Sequence, residues 1–185
     1  MKRADGYASS TFWTDLLALV LIGVIGAGMH FVWERVMGIP YLRWLAVLVS
    51  VNESNWEHVK LGAWPLLVWA IIMLANKGGK LNLREWLMPT AMAIWSAYIV
   101  MFSVHAALPE AFGELGMVRY IGSFMLGVAH GIASFRLVEG RPFSNRLWPL
   151  GAALIVTIIM MMIVFTYFPP HIPLFMDSAT GTYGI

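Results

Sequence analysis

Residues 147–168 read LWPLGAALIVTIIMMMIVFTYF and contain no charged side chain. A helix needs roughly 20 mostly apolar residues to cross a membrane, and this run supplies them. Four further apolar runs precede it along the chain, at residues 12–33, 56–75, 86–107 and 117–135. The sequence therefore predicts an all-α membrane protein with a bundle of about five transmembrane helices.

The composition agrees with that prediction and excludes other classes of protein. Hydrophobic residues make up 59% of the 185 positions and charged residues only 12%, against roughly 25% charged residues in soluble domains. The absence of cysteine excludes disulfides, thiolate metal sites and cysteine nucleophiles. A net charge of +2 is too small to suggest nucleic acid as a partner. We expect one transmembrane domain over residues 1–185.

Two segments outside the spans have their own character. Residues 41–51 are apolar but too few to cross a membrane, so they predict a short interfacial or re-entrant helix. Residues 169–185 combine aromatic and aliphatic side chains with rigid prolines. That composition is untypical of a disordered tail, and we expect the segment to fold back over the ends of the helices.

The distribution of lysine and arginine predicts the orientation, because short loops rich in these residues stay in the cytoplasm. The basic residues expected on one side are Lys2, Arg3, Lys77, Lys80, Arg84, Arg136, Arg141 and Arg146. Those expected on the other side are Arg35, Arg43, Lys60 and Arg119. The N-terminus is therefore predicted to be cytoplasmic and the C-terminus extracytoplasmic.

Most histidines and many acids are predicted to gather at the extracytoplasmic side. They are His30, His58, His105, His171, Glu34, Glu53, Glu57, Glu110, Glu114 and Asp177. Several of them lie at or inside predicted spans, where an ionisable side chain is costly and usually faces a cavity or a partner. The sequence therefore predicts a polar site at this end of the helices.

The segment VNESNWEHVK at residues 51–60 is the densest part of this group. Imidazole together with carboxylate suits zinc, iron or manganese, and a catalytic zinc site keeps three protein ligands and one open position. We predict His58, Glu53 and His30 as the ligands of a divalent metal. Glu57 and Glu34 are predicted as the general base or as groups that support the ligands.

Two other histidines are weaker candidates for the metal. His105 lies next to a helix end, where an interfacial histidine is equally expected. His130 lies in the middle of the fourth span among small residues. We expect those neighbours to bury it, so that it either hydrogen-bonds between helices or approaches the site from below.

Structural roles explain several of the same residues. Ser54 and Glu57 fit the S-x-x-E capping box, in which the serine caps a helix and the glutamate bonds back to the serine N–H. His30 and Glu34, four residues apart, share a helix face and could form a structural hydrogen bond. Lys60 could extend to the membrane surface or neutralise Glu53 or Glu57.

Three hypotheses about function follow from these patterns. The first is a membrane-embedded enzyme, in which metal-bound water reacts with the help of a carboxylate base. The second is an ion or small-solute transporter or channel module, with an ion held where the 41–51 segment meets the second span. The third is a non-catalytic subunit or assembly factor of a larger membrane complex. The expected partners are the lipid bilayer and either further copies of the chain or such a complex.

Two motifs resemble a family that we know. They are V-N-E-S-x-W-E-H-x-K at residues 51–60 and P-P-H-x-x-L-F-x-D-x-x-T-G-T-Y-G-I at residues 169–185. They resemble an uncharacterised family of small prokaryotic multi-pass membrane proteins. The resemblance implies a bundle of about five helices in a prokaryotic cytoplasmic (inner) membrane, and it implies no activity. Ser178 departs from the family pattern, which has proline after the aspartate.

Overall fold

A computed structural model describes residues 2–76, 82–108 and 116–185, without the side chains of residues 2–10, 116 and 117. The α-helices of this part of the chain are α1 (Lys2–Val36), α2 (His58–Ala75), α3 (Leu83–Ala107), α4 (Gly116–Val138), α5 (Pro142–Arg146) and α6 (Trp148–Tyr167). All except α5 contain a segment long and apolar enough to cross a membrane. The predicted all-α fold with five spans is confirmed.

The predicted short helix between the first two spans is a 3₁₀ helix over Pro40–Val47. Proline at its start is compatible with a helix because the first N–H groups of a helix have no intrahelical partner. Tyr41 and Trp44 are exposed, whereas Ala46 near the end of this helix is fully buried. The segment therefore has one face outside the bundle and enters the bundle at its C-terminal end.

The centre of the bundle is α3, which contacts α2, α4, α5 and α6. Its contact with α4 depends on glycine, because a Cβ atom at Gly127 or Gly131 would lie 2.6 Å from a carbonyl oxygen of α3. Small residues at such crossings allow two membrane helices to approach closely. Gly26 does the same between α1 and α2, where an added Cβ would lie 2.8 Å from the Leu61 carbonyl oxygen.

An ion pair joins α1 to α4 at one end of the bundle. The Arg136 guanidinium donates to both carboxylate oxygens of Asp15, with Nη2 2.6 Å from Oδ1, and it donates to Glu139 at 3.0 Å. These charges are thereby satisfied at the edge of an apolar bundle, where an unpaired charge would be costly. We call this the Arg136 end. The opposite end, where α2 begins and α6 finishes, is the His58 end.

Residues 169–185 fold back onto the His58 end, as expected. The backbone N–H of Trp56 donates to the Leu174 carbonyl at 3.1 Å, and the Asn52 side-chain amide donates to the Gly184 carbonyl at 3.0 Å. Phe175 is buried with its ring 5.1 Å from that of Trp56. The tail is therefore attached to the segment between the 3₁₀ helix and α2 by one backbone hydrogen bond, by one bond from a side-chain amide and by aromatic packing.

Asp177 organises the turn of this tail. Its carboxylate accepts hydrogen bonds from the Ala179 N–H at 2.9 Å, from the Thr180 hydroxyl at 2.8 Å and from the backbone N–H of Glu53. Burial alone would raise the pKa of Asp177, but these hydrogen bonds outweigh it and hold the pKa below its ordinary value of 3.8. Hydrogen bonds to the charged form stabilise that form.

Gly127→Ala should destabilise the bundle, because the new methyl group would collide with backbone atoms of α3. Overpacking of this kind typically costs about 1–3 kcal/mol. Gly122→Ala on the same helix is the matched control, since a Cβ there meets nothing within 4 Å. Denaturant unfolding in detergent measures both variants, and equal stability of the two would contradict the described crossing of α3 and α4.

Lowering the pH should release the tail. Because the pKa of Asp177 lies below its ordinary value in the folded chain, its carboxylate stabilises the tail at neutral pH. That stabilisation is lost as the pH falls through the folded-state pKa. Hydrogen exchange should show protection of the 176–183 amides that declines between about pH 5 and pH 2. In Asp177→Asn the same amides should be poorly protected over this whole pH range. Wild-type protection that does not change with pH would contradict the role of Asp177.

Candidate metal centre

Three elements bring the predicted ligands together at the His58 end. His30 comes from the last third of α1, Glu53 from the segment after the 3₁₀ helix, and His58 from the first residue of α2. His30 Nε2 lies 3.1 Å from Glu53 Oε1, and His58 Nε2 lies 3.7 Å from Glu53 Oε2. One ligand atom of each residue lies within 4.8 Å of the other two. We call these three residues the His30–Glu53–His58 group.

The orientation of His58 is fixed by its second ring nitrogen. Nδ1 lies 2.8 Å from the Ser54 carbonyl oxygen, and a carbonyl can only accept a hydrogen bond, so Nδ1 carries a proton. In the neutral ring the lone pair is then on Nε2, which faces Glu53. A backbone carbonyl on the far nitrogen is the usual support for a histidine that binds a metal.

His30 is held differently. Its Nδ1 is buried and has no hydrogen-bond partner among the described residues. Its ring lies edge-on to Phe31, with centroids 5.2 Å apart at 82°, and 5.2 Å from the ring of His58. Packing against these rings, together with the contact of Nε2 with Glu53, sets its orientation.

The backbone of Glu53 is held by the tail while its side chain remains 47% exposed. The Ser178 hydroxyl donates to the Glu53 carbonyl at 3.1 Å, and the Glu53 N–H donates to Asp177. A residue without a hydroxyl group at position 178 could not make the first of these bonds. The sequence did not predict the link between the tail and Glu53, which joins residues 125 positions apart.

Lys60 is fully buried in the first turn of α2. Its Nζ donates to the Glu57 carboxylate and the Thr166 hydroxyl, each at 2.6 Å, and to the Ala46 and Val49 carbonyls at 2.9 and 3.3 Å. The prediction that Lys60 extends to the membrane surface is wrong, and the alternative that it neutralises Glu57 is confirmed. The ammonium joins α2, α6 and the end of the 3₁₀ helix.

Glu57 is buried beside Lys60 and not in the His30–Glu53–His58 group. Its carboxylate accepts from the Val51 N–H at 2.9 Å as well as from Lys60. Burial raises the pKa of Glu57 above its ordinary value of 4.5, although the charge and hydrogen bond of Lys60 act in the opposite direction. Glu57 therefore has a structural role, because its carboxylate pairs with the Lys60 ammonium and holds the backbone at Val51.

The capping box is present in one half only. Ser54 Oγ accepts from the Glu57 N–H at 3.2 Å, as a capping serine does. The Ser54 N–H donates to the Asn52 side chain at 3.0 Å, where a capping box would use Glu57. The Glu57 carboxylate is bound instead by Lys60.

The remaining candidates are not part of the group. Glu34 is exposed on α1. His130 is also exposed, on the outer side of α4, so the expectation that small neighbours bury it is wrong. His171 stacks on Tyr183 in the tail at 4.5 Å. Glu110 and Glu114 lie outside the described residues.

His105 lies in a second set of side chains next to the group. The ring of Tyr120 lies 5.9 Å from the ring of His58 and 4.6 Å from that of His105. Arg119 Nη2 donates to His105 Nε2 at 2.9 Å. Sequence reasoning missed Arg119 and Tyr120. One signal could have identified them as site residues. Arg119 is a basic residue in the first turn of a spanning helix, where the helix dipole disfavours a cation.

Lys60→Met should strongly destabilise the protein, because it leaves the Glu57 carboxylate buried without a counter-charge. Removing one partner of a buried ion pair typically costs about 3–5 kcal/mol. The double variant Lys60→Met with Glu57→Gln should recover part of that loss, since it removes the unpaired charge. Unfolding free energies in detergent for the wild type, both single variants and the double variant measure the coupling. Arg43→Met, at an exposed position, is the control, and a Lys60→Met protein as stable as this control would contradict the role of the ion pair.

No curated protein and no solved structure matched the chain. A model described as a family of unknown function (DUF6512) matched residues 4–185. Because that match covers nearly the whole sequence, the chain belongs to the DUF6512 family.

Proposed function

We propose that this protein binds one divalent transition-metal ion through His30, Glu53 and His58, and that it acts as a metal-dependent enzyme at the extracytoplasmic face of its membrane. The observation that carries the proposal is the convergence of the three ligand atoms within 4.8 Å of one another. The residues come from three separate elements of the chain. No single helix periodicity brings them together.

The separations in the group suit a small metal ion. Two ligand atoms at 2.0–2.2 Å from a tetrahedral ion lie roughly 3.4 Å apart. His30 lies 3.1 Å from one oxygen of Glu53 and His58 lies 3.7 Å from the other, and one ligand atom of each residue lies within 4.8 Å of the other two. Side-chain movements of about 1 Å would bring one such set to the separations of a tetrahedral site. The bond from His58 Nδ1 to the Ser54 carbonyl already aims Nε2 at this position.

The donor set indicates which metals fit. Two imidazoles and one carboxylate form the ligand set of hydrolytic zinc enzymes and of non-haem iron(II) oxygenases. Manganese prefers oxygen donors, so zinc and iron(II) suit this group better. We expect zinc, whose bound water becomes a nucleophile near neutral pH.

The exposure of the group favours catalysis over a purely structural ion. A structural zinc site is closed by four protein ligands, whereas a catalytic one keeps a position open. Among the residues that the structure describes the group supplies three ligands, and nearly half of the Glu53 side chain is exposed. A bound ion would therefore keep a coordination position that water or a substrate can occupy.

The alternative of an ion path through the start of α2 has less support. Hydrogen-bond donors there are already used within the protein, since the N–H groups of Val51, Ser54 and Glu57 bind side chains of the same segment. The carbonyls of Ala46 and Val49 bind the Lys60 ammonium. The geometry therefore favours the metal-dependent enzyme.

Metal content tests the proposal directly. Protein purified without chelator, then loaded with zinc and freed of excess, should hold about one equivalent by elemental analysis. His30→Ala, Glu53→Ala and His58→Ala should each weaken zinc binding about 100-fold or more, because each removes a ligand. Loss of a residue that only supports a ligand already lowers metal affinity by about 10–100-fold. His130→Ala is the matched control, since that histidine is exposed on α4. Wild-type protein that takes up no more zinc than His58→Ala would refute the site.

A further inference from the structure

Arg119 has hydrogen-bond donors that no described residue accepts, and it precedes Tyr120, whose ring lies 5.9 Å from that of His58. Its two hydrogen bonds go to His105 Nε2 at 2.9 Å and to the Leu108 carbonyl at 3.4 Å. Its Nε is buried and has no partner among the described residues. No carboxylate within the described ranges forms an ion pair with it. A guanidinium has five N–H donors, so this one has donors that no group among the described residues accepts.

The position of Arg119 in the fold favours an anion. It lies in the first turn of α4, where the helix dipole favours negative charge. A cation at this position is intrinsically unfavourable, and a bound anion would relieve that repulsion. The charge of Arg119 and the dipole of α4 therefore both favour a negatively charged ligand.

Tyr120 connects Arg119 to the proposed metal. The guanidinium carbon of Arg119 lies 5.6 Å from the centre of the Tyr120 ring, and the ring of His58 lies 5.9 Å from the same centre. The Tyr120 ring therefore lies near both the arginine and a proposed metal ligand. The arginine and the metal position share one end of the bundle and one neighbouring side chain.

We propose that Arg119 is the anion-binding residue of this site and that the site takes a substrate carrying a phosphate group. The inference rests on the proposed metal centre. With neutral histidines, a divalent ion, the Glu53 carboxylate and the Arg119 guanidinium leave the site with a net positive charge. A phosphate monoester dianion compensates that charge, and its several oxygens can contact a metal and a guanidinium together.

The membrane context supplies two sources for such a group. The ends of spanning helices lie at the depth of lipid headgroups, so the phosphate could belong to a lipid or to a soluble phosphate compound. Both share the chemistry that the arginine and the metal recognise. An experiment has to separate them by offering each source on its own.

The test uses cobalt(II) in place of zinc, because its visible spectrum reports ligands that enter an open coordination position. Inorganic phosphate is titrated into the cobalt-loaded wild type and into Arg119→Gln, with Arg43→Gln at an exposed position of the 3₁₀ helix as the matched control. We expect Arg119→Gln to weaken phosphate binding about 10- to 100-fold, as expected for losing hydrogen bonds to a charged group. Arg43→Gln should bind like the wild type. A second arm repeats the measurement in nanodiscs of phosphatidylcholine with and without phosphatidic acid, where a lipid ligand would shift the spectrum before phosphate is added.

Metal content measured in the same samples separates the two proposals. If Arg119→Gln retains its metal and binds phosphate as tightly as the wild type, the role of Arg119 is refuted and the metal centre stands. A wild type that retains no metal refutes the proposed function and this inference with it. Equal cobalt loading with weaker phosphate binding only in Arg119→Gln supports both.

Discussion

The buried ammonium of Lys60 is the interaction on which the His58 end of the bundle depends. It binds two side-chain oxygens and two backbone carbonyls without contact with solvent. Charges in such surroundings are tolerated only when they are paired and hydrogen-bonded. Because its partners come from α2, α6 and the 3₁₀ helix, satisfying one charge fixes three elements relative to one another. Glu57 extends the same network to the backbone at Val51.

The proposed metal centre lies between this network and the tail. The segment that carries Glu53 is bound at Val51 by Glu57 and at residues 52, 53 and 56 by the tail. The Glu53 carboxylate therefore projects from a backbone that Glu57 holds on one side and the tail holds on the other, while the Glu53 side chain remains exposed to solvent. Preorganised ligands on a fixed backbone are what a catalytic metal site requires.

Much of the fold and part of the site were predictable from the sequence. Apolar runs of sufficient length identify spanning helices directly, and costly residues at helix ends pointed to His30, Glu53 and His58. The side of a helix that faces its neighbours was not predictable, because a helix that is apolar all round has no periodic signal. His130 is an example of a residue whose side could not be predicted. Gly131 faces α3, as does Gly127, but His130 precedes Gly131 in the sequence and is therefore rotated about 100° around the helix axis from it.

The partners of buried polar groups were equally hidden in the sequence. Lys60 binds a hydroxyl that lies 106 positions away along the chain, and Glu53 depends on Ser178, 125 positions away. Such pairs depend on how the helices pack, which local patterns do not encode. The choice between a lysine that reaches the surface and one that neutralises a neighbour needed the tertiary structure.

The attachment of Glu53 to the tail has a consequence for the order in which the molecule assembles. A chain is synthesised from its N-terminus, and membrane helices can form before the residues that follow them are made. Asp177, which accepts from the Glu53 N–H, and Ser178, which donates to the Glu53 carbonyl, both follow α6 in the chain. The helices can therefore be in place before the tail holds the backbone of Glu53, one of the three residues of the proposed metal centre.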